Sequence, residues 1–314
     1  MIVITGAAGF IGRNLAAQLQ NHSLLLVDFE EYQERCSDLD YDGFYDYDHF
    51  LHNIETDSTF RNFVKDNVEV IFHQGACSDT TNYDVEHMMY HNFDYSRRLF
   101  DFARSNNIQF IYASSAATYG HGLRGFLEDR GCETPLNIYA RSKHTFDEYV
   151  RCFINTEGPQ VVGIRYFNVY GPGENDKGKM ASVVQQFYRQ YQETKRIKLF
   201  EGSETFFRDF IYITDIVKIN KFFMKNPQIS GIYNGGTGTT KAFSTIAEIF
   251  NQRYSDLTVD VVDFPESLRK KYQMHTEADI SKLLAEGYTP DFVSLETGVN
   301  RYLDFLEHDE SSLC

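Results

Sequence analysis

The sequence predicts a doubly wound α/β protein with a second, smaller α/β lobe, on three observations. Short β-rich runs alternate with amphipathic stretches through roughly the first 165 residues, the pattern of a parallel sheet with helices on both faces. The first run opens into Gly6-Ala7-Ala8-Gly9-Phe10-Ile11-Gly12, and the second closes on Asp28. After Asn168 the alternation gives way to Gly171-Pro172-Gly173-Glu174-Asn175, a loop signal.

Taken in order, Ile2–Thr5, Leu24–Asp28, Val68–His73, Ile108–Ala113 and Val161–Phe167 read as buried strands. Phe10–Leu19 has helical periodicity, and Ser58–Asp66 and Asp84–Ser105 are amphipathic. Beyond the loop, the spacing predicts a helix over Lys179–Glu193, a strand over Arg208–Ile213 and a helix over Asp215–Lys225. Gly231–Asn234 reads as a strand returning to the main sheet, and a small α/β region follows from about Thr237. The expected domains are therefore residues 1–167 with about 206–235, and about 168–205 with 236–314. No internal repeat or low-complexity stretch is present.

The 314 residues are 42% hydrophobic and 24% charged, ordinary for a folded protein with a sizeable core. Aromatic residues reach 15%, with 27 Phe, 21 Tyr and no Trp, a bias with no functional reading in sequence. A formal net charge of -15 argues against nucleic-acid or anionic-membrane partners. Cys36, Cys77, Cys132, Cys152 and Cys314 are odd in number and lack a C-x-x-C pair, so neither a zinc site nor a disulfide framework is expected. No apolar run approaches a membrane span, and Met1 leads straight into the first strand, so a cytoplasmic location is expected.

The glycine turn carries the first chemistry. Gly6 permits the tight turn, Gly9 lets backbone approach a pyrophosphate, and Gly12 allows the helix to pack on the strand. The helix N-terminus, with Phe10 and Ile11, offers main-chain N–H groups and a positive dipole end. Asp28 is placed to accept hydrogen bonds from an adenosine ribose. Its charge disfavours an added 2′-phosphate by about 1–4 kcal/mol at ~4 Å, an effect Arg13 or Arg35 would offset. These features define a Rossmann-type doubly wound parallel sheet beside a smaller α/β substrate-binding lobe.

Tyr139-Ala140-Arg141-Ser142-Lys143 puts a phenol and an ammonium one helical turn apart, on one face. Such an ammonium favours phenolate and lowers the phenol's pKa. Ser114-Ser115 follows a predicted strand, so a hydroxyl emerges at the strand's C-terminal end, beside the cofactor cleft.

These residues, together with Phe72–Ser78 (FHQGACS), Tyr112–Gly120 (YASSAATYG), Arg165–Pro172 (RYFNVYGP), Lys177–Ser182 (KGKMAS), Leu199–Ser203 (LFEGS), Arg208-Asp209-Phe210 and Tyr272-Gln273, resemble an extended short-chain dehydrogenase/reductase. Within that group the chain is most similar to the ADP-L-glycero-D-manno-heptose 6-epimerases, from residue 1 to beyond 300. The resemblance implies an isomerase with a bound nicotinamide cofactor that inverts C6″ of an ADP-activated heptose through a transient ketone. It implies Tyr139 and Lys177 as the two proton-transfer groups, Lys143 as cofactor ligand and tuner of Tyr139, and Ser115 as the residue that orients the carbinol. It implies cofactor contacts from Gly6, Gly9, Phe10, Ile11, Gly12, Asp28, Phe29, Gln74, Gly75, Ala76, Cys77, Ser78, Asn92, Lys143, Val169 and Lys177. It implies substrate contacts from Ser78, Asn168, Lys179, Gln186, Phe200, Glu201, Gly202, Ser203, Arg208 and Tyr272, with no metal. Arg208 suits a diphosphate because its fork binds two oxygens at once. By the same resemblance the chain forms a homo-oligomer, a pentamer.

The chain departs from the pattern in three places. Phe29-Glu30-Glu31 stands where a polar residue and a nearby lysine often follow the ribose-binding acid. The resemblance favours NADP; Asp28 without that lysine favours NAD. Lys179 replaces a small serine, and Gln186 replaces a histidine, which leaves the nucleotide base and sugar open. Another nucleotide-sugar epimerase or a 4,6-dehydratase is the alternative, although Ala116-Ala117-Thr118 supplies no acid after Ser115 for dehydration. A non-catalytic cofactor-binding sensor is disfavoured because Tyr139 and Lys143 are both retained.

Overall fold

The computed structural model describes residues 1–265 and 273–311. Its main sheet is built from β1 (Ile2–Thr5), β2 (Leu24–Asp28), β3 (Gly43–Asp46), β4 (Val70–His73), β5 (Gln109–Ser115), β6 (Val161–Tyr166) and β11 (Gly231–Gly235). Their order is β11-β6-β5-β4-β1-β2-β3. β1 pairs in parallel with both β2 and β4, β2 with β3, and β4 with β5. The order reverses at β1, so the carboxyl ends of β1 and β4 flank the switch point where open α/β sheets bind ligands.

Helices α1 (Phe10–Ala17), α2 (Tyr47–Thr56), α3 (Ser58–Asn67), α4 (Val85–Met89), α5 (Tyr95–Ser105) and α6 (Ile138–Arg151) accompany this sheet. Strands β1, β2 and β4 are buried at every position, as a sheet covered on both faces requires. The aromatic bias has its place here. Phe100 meets Phe110, Phe146 and Tyr149 edge to face, filling space between α5, β5 and α6 with rings that have no indole N–H to satisfy. Beneath them Arg165 and Asp147, both 0% exposed, are paired at 2.8 Å. Tyr112 and Ser114 each donate to the same carboxylate at 2.9 Å, so one buried anion ties β5, β6 and α6 together.

The second unit holds β7 (Asn168–Tyr170), β8 (Arg196–Phe200), β9 (Phe207–Arg208), β10 (Phe210–Tyr212), β12 (Lys241–Ala242) and β13 (Thr258–Val262). It also holds α7 (Val183–Thr194), α9 (Phe243–Arg253), α10 (Ser281–Ala285) and α11 (Leu295–Ser311), while α8 (Ile213–Lys225) begins there and ends in the first unit. β10 pairs in parallel with β7 and β13 with β8, and β12 pairs antiparallel with β9. No described helix is long and apolar enough to cross a membrane.

Several elements differ from the sequence reading. The stretch Asp84–Ser105 is α4, a π-helical turn over Tyr90–Asp94, and α5. The helix expected from Lys179 begins at Val183, because Ser182 caps it and Gly178, at φ +51°, breaks the tight turn Asn175–Met180 before it. The strand expected over Arg208–Ile213 is split at Asp209, whose buried carboxylate accepts main-chain N–H groups from Thr237, Gly238 and Ala278. The chain divides into Met1–Thr118, Asn137–Arg165 and Val217–Tyr233 as one unit, and the remainder as the other. Residues 119–136 therefore lie in the second unit, where Asn234 holds them: it accepts from Tyr119, donates to the Phe126 carbonyl, and its N–H reaches Glu128.

Candidate active site

In the first unit the glycine turn is fixed by close approach. Gly6 has φ +67°, and a Cβ there would lie 2.5 Å from the Gly75 nitrogen. A Cβ on Gly12 would lie 2.1 Å from the Gly6 oxygen, so helix and turn touch backbone to backbone. On Gly9 it would meet only the Gly6 oxygen, at 3.2 Å. Gly9 is the N-cap of α1 and makes no side-chain cap bond, the arrangement in which helix N–H groups can meet an anion.

Asp28 is buried at the end of β2. Its Oδ2 accepts from the Ala8 N–H at 2.8 Å and its Oδ1 from the Phe29 N–H at 2.9 Å. Lone pairs remain on both oxygens for ribose hydroxyls. Burial pushes its pKa up, and the two N–H groups and Arg35 pull it down. The two arginines weighed against a 2′-phosphate are engaged: Arg13 donates twice to Asp38 at 2.7 Å, and the Arg35 guanidinium lies 4.0 Å over the Tyr32 ring. Phe29 packs against Tyr47 at 5.4 Å and His91 at 6.1 Å. Tyr47, which the sequence reading missed, stacks on Tyr95, and its ring edge lies against Gly75. The Tyr47 hydroxyl is buried with no hydrogen-bond partner among the described residues. A dinucleotide fits this donor set: an open glycine turn, a buried carboxylate with spare acceptors, and a buried unpaired phenol.

The segment Gln74–Ser78 follows β4. The Gln74 N–H reaches the Thr5 carbonyl at 3.0 Å, and the Gly75 N–H reaches Thr5 Oγ1 at 3.2 Å. Thr5 Oγ1 in turn bonds His73 Nδ1 at 2.7 Å. His73 is buried and neutral, its pKa pushed down to about 3 by burial and then by Lys143. Ala76 and Cys77 are half-buried and Ser78 exposed. Asn92 sits in the π-helical turn, a distortion often found at functional sites. It accepts from the Cys77 N–H at 2.8 Å and donates to the Cys77 carbonyl and to Ser142 Oγ at 3.0 Å each. The resemblance implies a cofactor contact from Asn92. The structure shows it buried, with its amide holding the Cys77 peptide.

Ser115 ends β5 with its side chain turned opposite to buried Ser114, as strand alternation dictates. Asn137 caps α6 by accepting from the Ala140 N–H at 2.7 Å, which puts Tyr139 in the helix's first turn. The Tyr139 phenol hydrogen-bonds Ser115. Burial raises its pKa, the Ser115 bond lowers it, and Cys77 raises it. Burial is the largest of these effects, and the Ser115 bond is the one that favours the phenolate. Lys143 Nζ donates to the Ala113 carbonyl at 2.9 Å. Burial pulls its pKa down to about 8, against the opposing pull of Asp147 one turn further along α6. Serine, tyrosine and lysine thus converge where β5 ends and α6 begins. Asp147, also missed, was signalled by Tyr139-x-x-x-Lys143-x-x-x-Asp147, a continuous helical stripe.

In the second unit, Asn168 and Val169 are half-buried on β7, and the Asn168 N–H reaches the Asp209 carbonyl at 3.1 Å. Lys177 is half-buried in the turn Asn175–Met180, and Lys179 is exposed on it. Burial lowers the Lys177 pKa and Glu174 raises it. Gln186 donates to the Ala181 carbonyl at 2.7 Å, so its amide braces the same loop. Phe200 ends β8 against Phe264, 5.3 Å away. Glu201 is exposed, Gly202 has φ +81°, and Ser203 is buried at the start of the next turn. Arg208 is buried; it donates to the Phe207 carbonyl at 2.8 Å and the Gln273 carbonyl at 2.5 Å, and lies 5.4 Å over the Phe243 ring. Tyr272 falls outside the described residues.

A model of the NAD dependent epimerase/dehydratase family matches residues 2–236. The chain belongs to that family. Among its relatives, this epimerase/dehydratase is 45% identical over 313 residues, 98% of both chains, to a protein of Brachyspira hyodysenteriae named ADP-L-glycero-D-manno-heptose-6-epimerase. A protein of the same name from Alkalilimnicola ehrlichii is 42% identical over 315 residues, covering 97% of both. The crystal structure of the Helicobacter pylori protein of that name superposes with a TM-score of 0.83 at 32% identity, covering 98% of this chain and 96% of that one. The family's nicotinamide cofactor is the group for which the glycine turn and Asp28 are fitted.

Proposed function

We propose that this chain is an ADP-L-glycero-D-manno-heptose 6-epimerase. The observation that carries the chemistry is the convergence of Ser115, Tyr139 and Lys143 at the end of β5. The substrate rests on near-full-length similarity to proteins of that name. When bound, the nicotinamide supplies the acceptor and donor of the hydride at the C6″ carbinol. Ser115 holds the carbinol oxygen. Tyr139 moves its proton on one face as the carbinol becomes a ketone and is restored. Lys177 moves the proton for the opposite epimer, since inversion requires proton transfer to serve both faces. Lys143 binds the nicotinamide ribose. Arg208, Asn168, Phe200–Ser203 and Tyr272 hold the nucleotide sugar, with Lys179 and Gln186 at its edge.

The cofactor is NAD in this reading. What supports it is the Asp28 carboxylate followed by Phe29-Glu30-Glu31, with Arg13 engaged by Asp38 and Arg35 stacked on Tyr32. A 2′-phosphate there meets the like charge of Asp28, with Arg35 the cation whose charge reaches that carboxylate. Self-association into a homo-oligomer, carried over from the resemblance, is read by light scattering. The function itself is tested by NMR of ADP-heptose after incubation, with mass spectrometry of the released cofactor. Inversion at C6″ with NAD released is expected. Inversion at C4″ of another nucleotide sugar, with C6″ untouched, overturns the assignment.

A further inference from the structure

Glu174 lies near the start of the loop that carries Lys177, and the residue is 0% exposed. A buried carboxylate needs donors or a counter-charge to offset lost hydration, and here it has both. Its Oε1 accepts from the Gly171 N–H at 3.1 Å and from Ser182 Oγ at 2.8 Å, and its Oε2 accepts from the Ser182 N–H at 2.6 Å. Gly171 opens the loop and Ser182 closes it as the N-cap of α7. One carboxylate therefore joins both ends of the twelve-residue segment 171–182. The Glu174 carbonyl also accepts the Lys177 N–H at 3.0 Å, starting the turn that presents the lysine.

The charges around Glu174 come from three elements. Lys177 faces it from the loop, and the Tyr302 hydroxyl of α11 hydrogen-bonds it. Arg189 of α7 acts on Tyr302 and donates to the Asn175 carbonyl at 2.7 Å, bracing the turn from outside. Asp176 and Lys179 are exposed on the loop itself. We propose that Glu174 is the positioning residue of the Lys177 site: it closes loop 171–182 into one geometry and holds the Lys177 ammonium by a buried counter-charge. Burial works against both ions, and each supports the charge of the other. The inference rests on Lys177 being the second proton-transfer group.

The test follows acetylation of Lys177 by acetic anhydride across pH in the cofactor-loaded protein, read by mass spectrometry. Turnover is measured alongside. In Glu174→Gln the pH of half-labelling falls by about one unit, because an opposite charge near an ammonium is removed. Turnover falls at least tenfold with KM within about threefold, and bound cofactor is retained. Glu174→Asp keeps the charge, so its half-labelling pH stays within about half a unit of wild type. Should the Gln form not fold, the Asp form decides by turnover: its carboxylate is one methylene too short to reach both Gly171 and Ser182, so turnover falls at least threefold, and wild-type turnover there overturns the proposal. Unmoved labelling in Glu174→Gln, or a full-unit fall in Glu174→Asp, overturns the proposal. Wild-type turnover in Lys177→Met instead overturns the base assignment, independently of the labelling.

Discussion

Lys143 gives the sharpest quantitative expectation, because the residue is only 6% exposed in the folded chain. Burial draws its pKa from 10.5 to about 8. A lysine with a depressed folded pKa binds its proton less tightly when folded than when unfolded. The penalty is complete below about pH 8, where both states are protonated, and it fades as pH rises towards 10.5. A displacement of that size corresponds to about 3 kcal/mol at pH 7. Lys143→Met removes the charge and keeps the chain's volume, but it strips the Ala113 carbonyl of a donor, at about 1 kcal/mol. A net gain of about 2 kcal/mol at neutral pH is expected, alongside loss of turnover. Urea unfolding of wild type and variant at pH 7 and at pH 9.5 measures it, each transition first checked for coincident probes. The gap should narrow at the higher pH. A variant less stable than wild type at pH 7, or a gap that does not change with pH, refutes the reasoning.

Tyr139→Phe and Lys177→Met should each reduce turnover by about 10²- to 10⁴-fold while the double variant keeps its cofactor; near-wild-type rates would remove both from the chemistry. Gly12→Ala would put a Cβ 2.1 Å from the Gly6 oxygen, so the turn must open, lowering stability by about 1–3 kcal/mol and weakening cofactor binding in a fluorescence titration. Tyr47→Phe removes a buried hydroxyl with no partner among the described residues. It should stabilise the cofactor-free protein by about 1 kcal/mol and weaken NAD binding about fivefold; unchanged NAD binding would mean the hydroxyl meets no ligand.

The Ile2–Thr5 and Leu24–Asp28 strands were legible to the residue, since a strand buried on both faces leaves an uninterrupted apolar run. The glycine turn was legible too, because Gly6 and Gly12 answer a backbone clash that any side chain would create. The grouping of Tyr139, Lys143 and Ser115 was legible because i, i+4 spacing and a strand end are local signals. β3 and the π-helical turn were missed: the burial pattern of β3 is intermediate throughout, and a single inserted helical residue leaves the apolar period almost unchanged.

Local spacing by itself determined what this chain has to work with: the glycine turn, the acid that closes β2, the phenol–ammonium stripe and the order in which they appear. Tertiary structure decided how those groups are set. Asp147 opposes the burial of Lys143, Asn92 serves the Cys77 peptide, Ser115 reaches Tyr139, and Glu174 closes the Lys177 loop. The physical reason is that charge and hydrogen bonding in a buried site depend on which groups desolvate one another. Partners such as Asp147 and Arg165, or Asn92 and Ser142, are 18 and 50 residues apart in the chain, so no local window of sequence contains them both.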